Sequence, residues 1–374
     1  MSSVCTAISE FGWDLFKEIS KDGAQKNIFL SPFSISAALA MVAYGARGDT
    51  EAQMEKVHFL YCSEVFNHRA NSHVQHLRKV RTSQYYMRSN ICVHNLQKYL
   101  RCTKELYHAG LESVDFEKAQ TRENINSWVA SQTQGKIKDL FPEDSLDPPI
   151  AMVIVNAIYF KGLWSSRFKK EDTKAAPFRV DKNVSKNVPM MFQSGRFKYA
   201  AIQEPPLQLL ELPYAGEVLS MMIILPKDSD EGDNSSSQEK LASFLTYKNI
   251  EEWSSKMYFQ EVNVYLPRFK LEEKYELKET LESMGMTLLF DQSEADLSGI
   301  SEEKDLSVSE VIHKSFVEVN EEGTEAAAAT GVTNVSAPTS VQIPVEFKAD
   351  ETFIFIILHN VSKCPLFIGR IASP

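Results

Sequence analysis

Apolar residues change their spacing along this chain. Near the start they recur every three or four positions, which is the period of an amphipathic helix. These positions are Ile8, Phe11, Leu15, Phe16 and Ile19. Comparable spacing predicts a helix over Arg122–Leu140, and shorter helices are predicted over Glu51–Phe59 and Leu100–Tyr107. From Pro32 to Gly45 or Gly48, small and apolar residues that suit close packing predict another helix, which Pro32 and Ser34 open. Between them, Tyr61–Ser89 has weak periodicity and indicates no element.

Later in the chain the apolar residues gather in short runs. Ala151–Phe160 is apolar except for Asn156, which predicts a central strand buried on both faces. A short helix is predicted over Leu277–Met284. Other predicted strands are Asn27–Pro32, Leu111–Phe116 (or a turn), Phe192–Ile202, Leu207–Pro213, Leu219–Leu225, Val262–Phe269, Lys314–Val319, Phe353–Leu358 and Leu366–Gly369. Helices precede strands and no linker divides them, so we predict one α+β domain over residues 1–374.

Composition narrows the class of partner. The chain is 43% hydrophobic and 24% charged, as in ordinary globular proteins. Its net charge of −10 argues against nucleic acid as a partner. The longest apolar stretches fall short of the roughly 20 residues of a membrane span, and the start lacks a basic, apolar signal segment. We therefore expect a cytoplasmic protein that contacts no membrane.

No arrangement of residues indicates an enzyme. The cysteines are scattered without a zinc-ligand spacing, which favours a reducing compartment. Gly-rich phosphate loops and nucleophile motifs are absent. Histidines between His58 and His94 lie among arginines and lysines. We interpret that region as a solvated basic surface, with a metal site or polyanion binding as the alternatives. The prediction is no catalytic residue, no metal and no cofactor.

The most informative segment is Val319–Thr330. Its charges stop at Glu325, and four alanines follow. Gly323 supplies backbone freedom. Small, uncharged side chains would fit inside a sheet if the segment entered it as a strand, whereas four alanines taken alone favour a helical turn.

Several motifs resemble those of the serpins, and together they cover nearly the whole chain. They are Asn27–Leu39, Val155–Trp164, Glu211–Tyr214, Leu219–Pro226, Ala295–Ile300, Val311–Lys314 and Cys364–Pro374, in this order. Each is moderately specific, and the ordered set is highly specific. The short start and the Ser-Pro ending are similar to the ovalbumin-type, intracellular branch of that family. The resemblance implies a monomer in the cytoplasm, with unconventional secretion as a second destination.

The resemblance implies the serpin fold, in which helices accompany three β-sheets and a mobile reactive-centre loop is exposed. That loop would span about residues 321–345. Its hinge would be Glu321, Glu322, Gly323, Thr324, Glu325, Ala326, Ala327, Ala328, Ala329 and Thr330. The residues that resemble the shutter, where polar groups exchange partners as strands part, are Ser31, Ser34, Asn156 and His313. Trp164 and Arg268 resemble the breach, where Arg268 would pair with Glu321.

The same resemblance implies a suicide inhibitor of serine proteases. The protease would cut the loop and form a covalent acyl complex, and the loop would then enter the sheet as an added strand. Counting along the hinge places the cut between Ala337 and Pro338. Most serine proteases refuse a proline after the bond, so Val335–Ser336 and Ser336–Ala337 are alternatives. Small residues there suit elastase-like targets, and cysteine proteases are a second target class.

A non-inhibitory serpin, acting in storage, as a chaperone or as a binding protein, is the alternative. Pro338 favours this alternative. The stretch Tyr85–Leu100 also favours the non-inhibitory alternative. It is shorter than the corresponding stretch in serpins, and it lies where an edge strand of the main sheet is expected.

Overall fold

The computed structural model describes residues 3–23, 25–58, 82–88, 110–143, 145, 150–181, 183–227, 237–301, 306–324 and 343–374. The chain forms two compact units. Unit 1 comprises Met1–Ile19, Leu30–Tyr159 and Glu272–Phe316, and unit 2 comprises Ser20–Phe29, Phe160–Leu271 and Val317–Pro374. The single domain stays a prediction. The predicted helix Leu100–Tyr107 and most of the histidine-rich region lie outside the described residues.

The elements are numbered here in chain order. The described helices are α1 (Ser3–Ser20), α2 (Pro32–Gly45), α3 (Gly48–His58), α4 (Ala119–Gln132), α5 (Ser237–Phe244), α6 (Tyr247–Ser255) and α7 (Lys278–Ser283). The first strands are β1 (Ile28–Leu30), β2 (Thr82–Arg88), β3 (Gly110–Val114), β4 (Met152–Phe160), β5 (Gly162–Leu163), β6 (Lys174–Asp181), β7 (Val184–Ile202) and β8 (Leu207–Pro213). The remaining strands are β9 (Leu219–Pro226), β10 (Tyr258–Pro267), β11 (Phe269–Glu276), β12 (Glu310–Asn320), β13 (Gly323–Thr324), β14 (Val345–Lys348), β15 (Phe353–His359) and β16 (Pro365–Ile371).

Most predicted helices are present, and α4 is shorter than predicted. Helix α4 ends at Gln132 because Gln134 and Gly135 both have positive φ angles, of 52° and 74°. The Thr133 hydroxyl then accepts a hydrogen bond from the backbone N–H of Ile137 at 3.2 Å, which stabilises the turn out of the helix. In the described part of the chain, no helix is long and apolar enough to cross a membrane.

Helix α2 begins at Pro32, and Ser31 caps its N-terminus. The Ser31 hydroxyl accepts from the backbone N–H of Ser34 at 3.2 Å, and Pro32 occupies the first helical turn, where its missing N–H costs nothing. Nearly every residue of α2 is buried. A helix buried on all faces shows no amphipathic period, so its apolar and small composition is the signal that predicts it.

In unit 1 the strands pair in the order β3-β2-β4-β12, with β11 beside β12. The predicted central strand is confirmed as β4, which is buried along almost its whole length. Most of the shortened stretch Tyr85–Leu100, where an edge strand is expected, lies outside the described residues. Its described start belongs to β2 (Thr82–Arg88), which pairs with β4 on one side and with β3 on the other. Among the described strands, β3 (Gly110–Val114) therefore lies at the edge instead of β2.

One hydrophobic cluster of unit 1 lies between α4 and one face of β4. Ile125 and Val129 of α4 and Val153 and Val155 of β4 are all fully buried there. Alternate residues of a strand face the same side, and the spacing of four along α4 does the same for the helix. This packing holds α4 against β4.

Unit 2 is built on a nine-stranded sheet. Its order is β1-β16-β15-β9-β8-β7-β10-β14, with β6 also paired to β7. The resemblance implies three sheets, whereas the described strands form two hydrogen-bonded sheets. The reason is β7, which runs unbroken through 19 residues and pairs with β6, β10 and β8 in turn. Strand β6 and helix α6 were not predicted from the sequence.

Fully buried aromatic rings stack on one another in unit 2. Phe29 of β1 stacks on Phe367 with centroids 5.1 Å apart, and on Phe355 at 5.8 Å. Gly369 of β16 lies across from Phe355 in the register, and a Cβ at Gly369 would overlap the Phe355 ring. The glycine therefore leaves the space that this ring occupies.

We expect Gly369→Ala to lower the free energy of unfolding by about 1–3 kcal/mol, because the fully buried Phe355 ring must shift. Chemical denaturation monitored by circular dichroism measures the change. Gly195→Ala is the matched control, since Gly195 also lies in a strand and its nearest Cβ neighbour would be a ring edge at 3.2 Å. Equal losses for the two variants would contradict this explanation.

Candidate functional site

Four buried polar side chains in unit 1 form a connected group, here called the polar cluster: Ser31, Ser34, Asn156 and His313. Nδ2 of Asn156 donates to Ser34 Oγ at 2.6 Å, and Asn156 Oδ1 lies 2.7 Å from His313 Nδ1. Nε2 of His313 accepts from the backbone N–H of Ser31 at 3.2 Å. The hydrogen bonds thus link the start of α2 to β4 and β12. The structure brings together all four residues that the sequence grouped.

The tautomer of His313 follows from these partners. A nitrogen that accepts from a backbone N–H carries no proton, so Nε2 is bare and Nδ1–H donates to Asn156. Burial lowers the pKa of His313 to about 3, because a charged imidazolium would lose its hydration there. The ring also stacks beside Tyr275, with centroids 6.3 Å apart. His313 is therefore neutral in the folded protein.

A second group of residues surrounds the start of the predicted hinge in unit 2. Strand β12 ends at Asn320, turns through Glu321 and Glu322, and returns as β13. On one side Asn320 pairs with Gly323; on the other, Gly323 and Thr324 pair with Leu163 and Gly162 of β5. The first residues of β13 therefore already lie within the sheet, between β12 and β5.

The turn that precedes β13 is fixed by ion pairs and hydrogen bonds. Glu321 is 4% exposed, and its carboxylate accepts from the Thr173 hydroxyl at 2.9 Å. The predicted pair is present, with Arg268 Nε 3.7 Å from the second oxygen of Glu321. Arg268 is half exposed, so this pair contributes little by itself. Lys170 Nζ lies 3.1 Å from the carboxylate of Glu322.

Backbone groups hold the same turn. The carbonyl oxygen of Glu322 accepts from Trp164 N–H at 2.9 Å, and that of Glu321 accepts from Phe168 N–H at 3.0 Å. Lys170 and Thr173 were not predicted from the sequence, because nothing in their local pattern indicates a partner about 150 positions away.

An aromatic layer lies beside β13. Trp164, predicted for the breach, donates from Nε1 to the carbonyl oxygen of Asn320 at 3.0 Å. Its ring stacks on Tyr214 with centroids 4.6 Å apart, and Phe160 meets Tyr214 edge-on at 5.1 Å. The Tyr214 hydroxyl lies 3.4 Å from the Thr324 hydroxyl. Burial raises the pKa of the Tyr214 phenol well above its usual value, so the hydroxyl keeps its proton.

Gly323 is required by geometry. Its φ is +133°, a conformation that side chains with a Cβ rarely adopt. A Cβ would also overlap the carbonyl oxygen of Gly162 and lie 2.7 Å from the Trp164 nitrogen. Glycine is the residue that lets β13 approach β5 this closely.

The rest of the loop lies outside the described residues. That part includes the hinge residues Glu325–Thr330 and the predicted cut sites Val335, Ser336, Ala337 and Pro338. The chain is described again from Ile343 and enters β14, which pairs parallel with β10. The loop boundaries and the cut site therefore stay predictions. In the ranges that the structure covers, no group of three His, Cys, Asp or Glu side chains could hold a metal ion.

Two features of the geometry bear on the class of protein: a turn and short strand seated between two strands of a sheet, and the buried polar cluster. The chain belongs to the serpin family. The family profile described as "Serpin (serine protease inhibitor)" matches residues 6–374. This confirms the family and the α+β fold class.

Particular relatives narrow the branch. The leukocyte elastase inhibitors of Equus caballus and Homo sapiens are each 44% identical, over 384 and 386 residues, with both chains fully covered. Serpin B11 of Homo sapiens is 41% identical over 402 residues, also with full coverage. Among solved structures, uncleaved ovalbumin is 39% identical with a TM-score of 0.88 and full coverage of both chains. Maspin is 31% identical, with a TM-score of 0.89, covering 99% of this chain and 98% of its own. The predicted resemblance to the ovalbumin-type branch is confirmed.

We expect the polar cluster to make stability fall on mild acidification. An unfolded histidine titrates near 6.5, whereas folded His313 stays neutral until about pH 3. Unfolding therefore takes up a proton between these values, which favours the unfolded chain as the pH falls. From pH 7.5 to 5.5 this contribution lowers the free energy of unfolding by about 1.4 kcal/mol. Urea denaturation at both pH values, for wild type and His313→Gln, isolates it by difference. An identical pH dependence in the two proteins would contradict a buried neutral His313.

Gly323→Ala should destabilise the seated turn. The new Cβ combines a strained φ with overlap against β5, so we expect a loss of about 2–4 kcal/mol in the free energy of unfolding. Gly216→Ala separates the two causes, since Gly216 has φ +81° but nothing within 4 Å of its Cβ position. Denaturation midpoints compare them. A loss no greater than that of Gly216→Ala would mean that β13 is not confined by β5.

Proposed function

We propose that this chain is a suicide-type inhibitor of serine proteases that works by loop insertion. The observation that carries the proposal is the position of β13, whose two residues are paired on both sides within the sheet. Insertion of further loop residues would extend β13, a strand that is already paired on both sides. Family membership and the relatives named as elastase inhibitors support the same conclusion.

The chemistry of insertion suits the hinge composition. The Thr324 side chain is fully buried, and its hydroxyl has a partner in Tyr214. Alternation along a strand would place Ala326, Ala328 and Thr330 on the same inward face, and Glu325 on the opposite face. Burying these small side chains costs little, whereas an unpaired charge on that face would cost several kcal/mol.

The proposed reaction uses the loop as a substrate. A serine of the protease attacks the carbonyl carbon of Ala337, or of Val335 or Ser336, and the chain beyond the cut leaves as an amine. The acyl-enzyme would then be carried with the inserted loop, which releases strain held in the uninserted state. The trap is kinetic, because the uninserted fold persists behind a high barrier. This covalent complex and a monomeric inhibitor are parts of the proposal.

Elastase-like proteases are the proposed targets. Val335, Ser336 and Ala337 are small, and relatives with the name leukocyte elastase inhibitor support this target class. Cysteine proteases are the second target class. We place the protein in the cytoplasm, with unconventional secretion as a second location.

We assign the shutter role to the polar cluster and the breach role to Trp164 and Arg268. Both groups contact strands that flank the insertion path, within their own units. The hydrogen bond between Asn156 and His313 joins β4 to β12, and that from Asn156 to Ser34 ties β4 to α2. Breaking these bonds is part of the cost of opening.

A non-inhibitory role in storage, as a chaperone or in binding is the second candidate. Pro338 favours it, since proline after the predicted bond disfavours cutting there. The two functions differ in one observable, which is whether a cut loop leaves the protease attached.

The test compares wild type with Thr324→Arg, using elastase-, chymotrypsin-, trypsin- and cathepsin-like proteases. Arginine at this fully buried position would have to bury a charge whenever β13 is seated. Thr324→Arg should therefore unseat β13, so that insertion slows while cutting of the loop continues. We expect wild type to form a denaturant-stable adduct with an elastase-like enzyme and Thr324→Arg to be cleaved with at least a roughly tenfold smaller adduct fraction, measured by denaturing gels and mass spectrometry.

Gln203→Arg is the matched control, because it adds the same charge at an exposed turn. It should form the adduct as wild type does. Clean cleavage of wild type by every protease, with no adduct, would replace this proposal with the non-inhibitory role.

A further inference from the structure

The hydroxyl of Tyr214 is buried beside the first hinge residues and belongs to neither the shutter nor the breach predicted from the sequence. Tyr214 is 2% exposed, and its hydroxyl lies 3.4 Å from the hydroxyl of Thr324. A buried phenol requires a hydrogen-bond partner. Thr324 provides one only while β13 is seated in its present register.

Backbone hydrogen bonds fix the position of Tyr214. Its own N–H donates to Leu219 O at 2.9 Å, and the next N–H, of Ala215, donates to Leu163 O at 2.7 Å. Ser165 N–H donates to Pro213 O at 2.9 Å on the other side. Two of these three bonds join the Tyr214 segment to the end of β5 and the residues that follow it.

The ring of Tyr214 is held as firmly as its backbone. It lies between the stacked Trp164 ring and the edge-on Phe160 ring. It also packs against Gly162, where a Cβ would come within 2.8 Å of the Tyr214 ring. Gly162 is the residue that pairs with Thr324. The missing side chain at Gly162 thus lets the phenol reach the inward face of β13 at Thr324.

We propose that Tyr214 is a positioning residue that sets the register in which the loop enters the sheet. The hydroxyl of Tyr214 is fixed in place, so it can hydrogen-bond to Thr324 only when Thr324 faces inward opposite Gly162. A slip of one residue would turn Thr324 away and leave the phenol without this partner.

Register decides what the inserted strand would bury. With Thr324 inward, the next inward positions would be Ala326 and Ala328. A one-residue slip would place the carboxylate of Glu325 on that face instead. A buried unpaired carboxylate opposes insertion, so an error at the first residue would favour release of the cleaved loop over trapping. This consequence rests on the proposed function, whereas the seating of Thr324 by Tyr214 before any cut does not.

The test is hydrogen exchange of the Trp164 and Phe168 amides in uncleaved protein. These amides donate to Glu322 and Glu321, so they are protected while the turn is seated. Removal of one neutral hydrogen bond should make their exchange roughly 2- to 10-fold faster in Tyr214→Phe. Thr324→Val should give a similar increase, and the double variant no more than either single change, because both remove the same bond.

Tyr199→Phe is the matched control. Tyr199 is also buried, and its hydroxyl accepts from Gln208 at 2.8 Å, away from the turn. It should leave exchange at Trp164 and Phe168 unchanged. Wild-type exchange in Tyr214→Phe, or additive effects in the double variant, would overturn the proposal.

A second readout separates this proposal from the proposed function. Tyr214→Phe should raise the number of inhibitor molecules consumed per trapped protease by roughly 2- to 10-fold as well. If exchange responds as expected but no protein, wild type included, forms an adduct, then the inhibitory function fails and the seating of Thr324 stands. If wild type traps protease and Tyr214→Phe consumes no more inhibitor than wild type, the register role fails.

Discussion

Gly323 lies so close to β5 that a Cβ would overlap the carbonyl oxygen of Gly162. This contact sets the geometry of everything around it. Because β13 fits between β12 and β5, the preceding turn can place Glu321 and Glu322 against Thr173, Arg268 and Lys170. Because β13 is paired on both sides, Thr324 faces the aromatic layer. Because Gly323 and Thr324 are already paired within the sheet, the loop residues that follow them could extend the same strand.

The polar cluster of unit 1 solves a different physical problem. Buried polar groups must be satisfied, and the cluster achieves this with a neutral imidazole. His313 accepts from one partner and donates to another, while Asn156 bridges it to Ser34. A charged group would demand a counterion, whereas neutral donors and acceptors can exchange partners at modest cost. The chemistry of the cluster is therefore compatible with strands that separate.

The sequence predicted those helices and strands whose own residues show a clear apolar pattern. The apolar run of β4 and the periodic residues of α1 indicated a strand and a helix, and both are present. Strand β2 was missed because its polar residues Thr82–Arg88 show no alternation, and its position inside the sheet comes from pairing with β4. The end of α4 depends on two positive φ angles, which the residues Gln134 and Gly135 only partly indicate.

Some residues of the candidate site could also be predicted from the sequence, and others could not. The polar cluster, Trp164 and the pair of Arg268 with Glu321 could be named from motifs, because the family resemblance supplies the partners. Tyr214 lies inside one of those motifs, Glu211–Tyr214, yet its hydroxyl contact with Thr324 joins positions 110 residues apart. No periodicity reports such a contact. The roles of Lys170 and Thr173 were hidden for the same reason.

Inhibition as proposed requires that the loop enter the sheet after it is cut. The melting temperature before and after a single cleavage within residues 325–342, with the cut confirmed by mass spectrometry, measures this step. Insertion adds a hydrogen-bonded strand and buries its inward side chains, so the cleaved protein should have a clearly higher melting temperature. An unchanged or lower melting temperature would mean that the loop stays outside the sheet, and it would contradict inhibition by insertion.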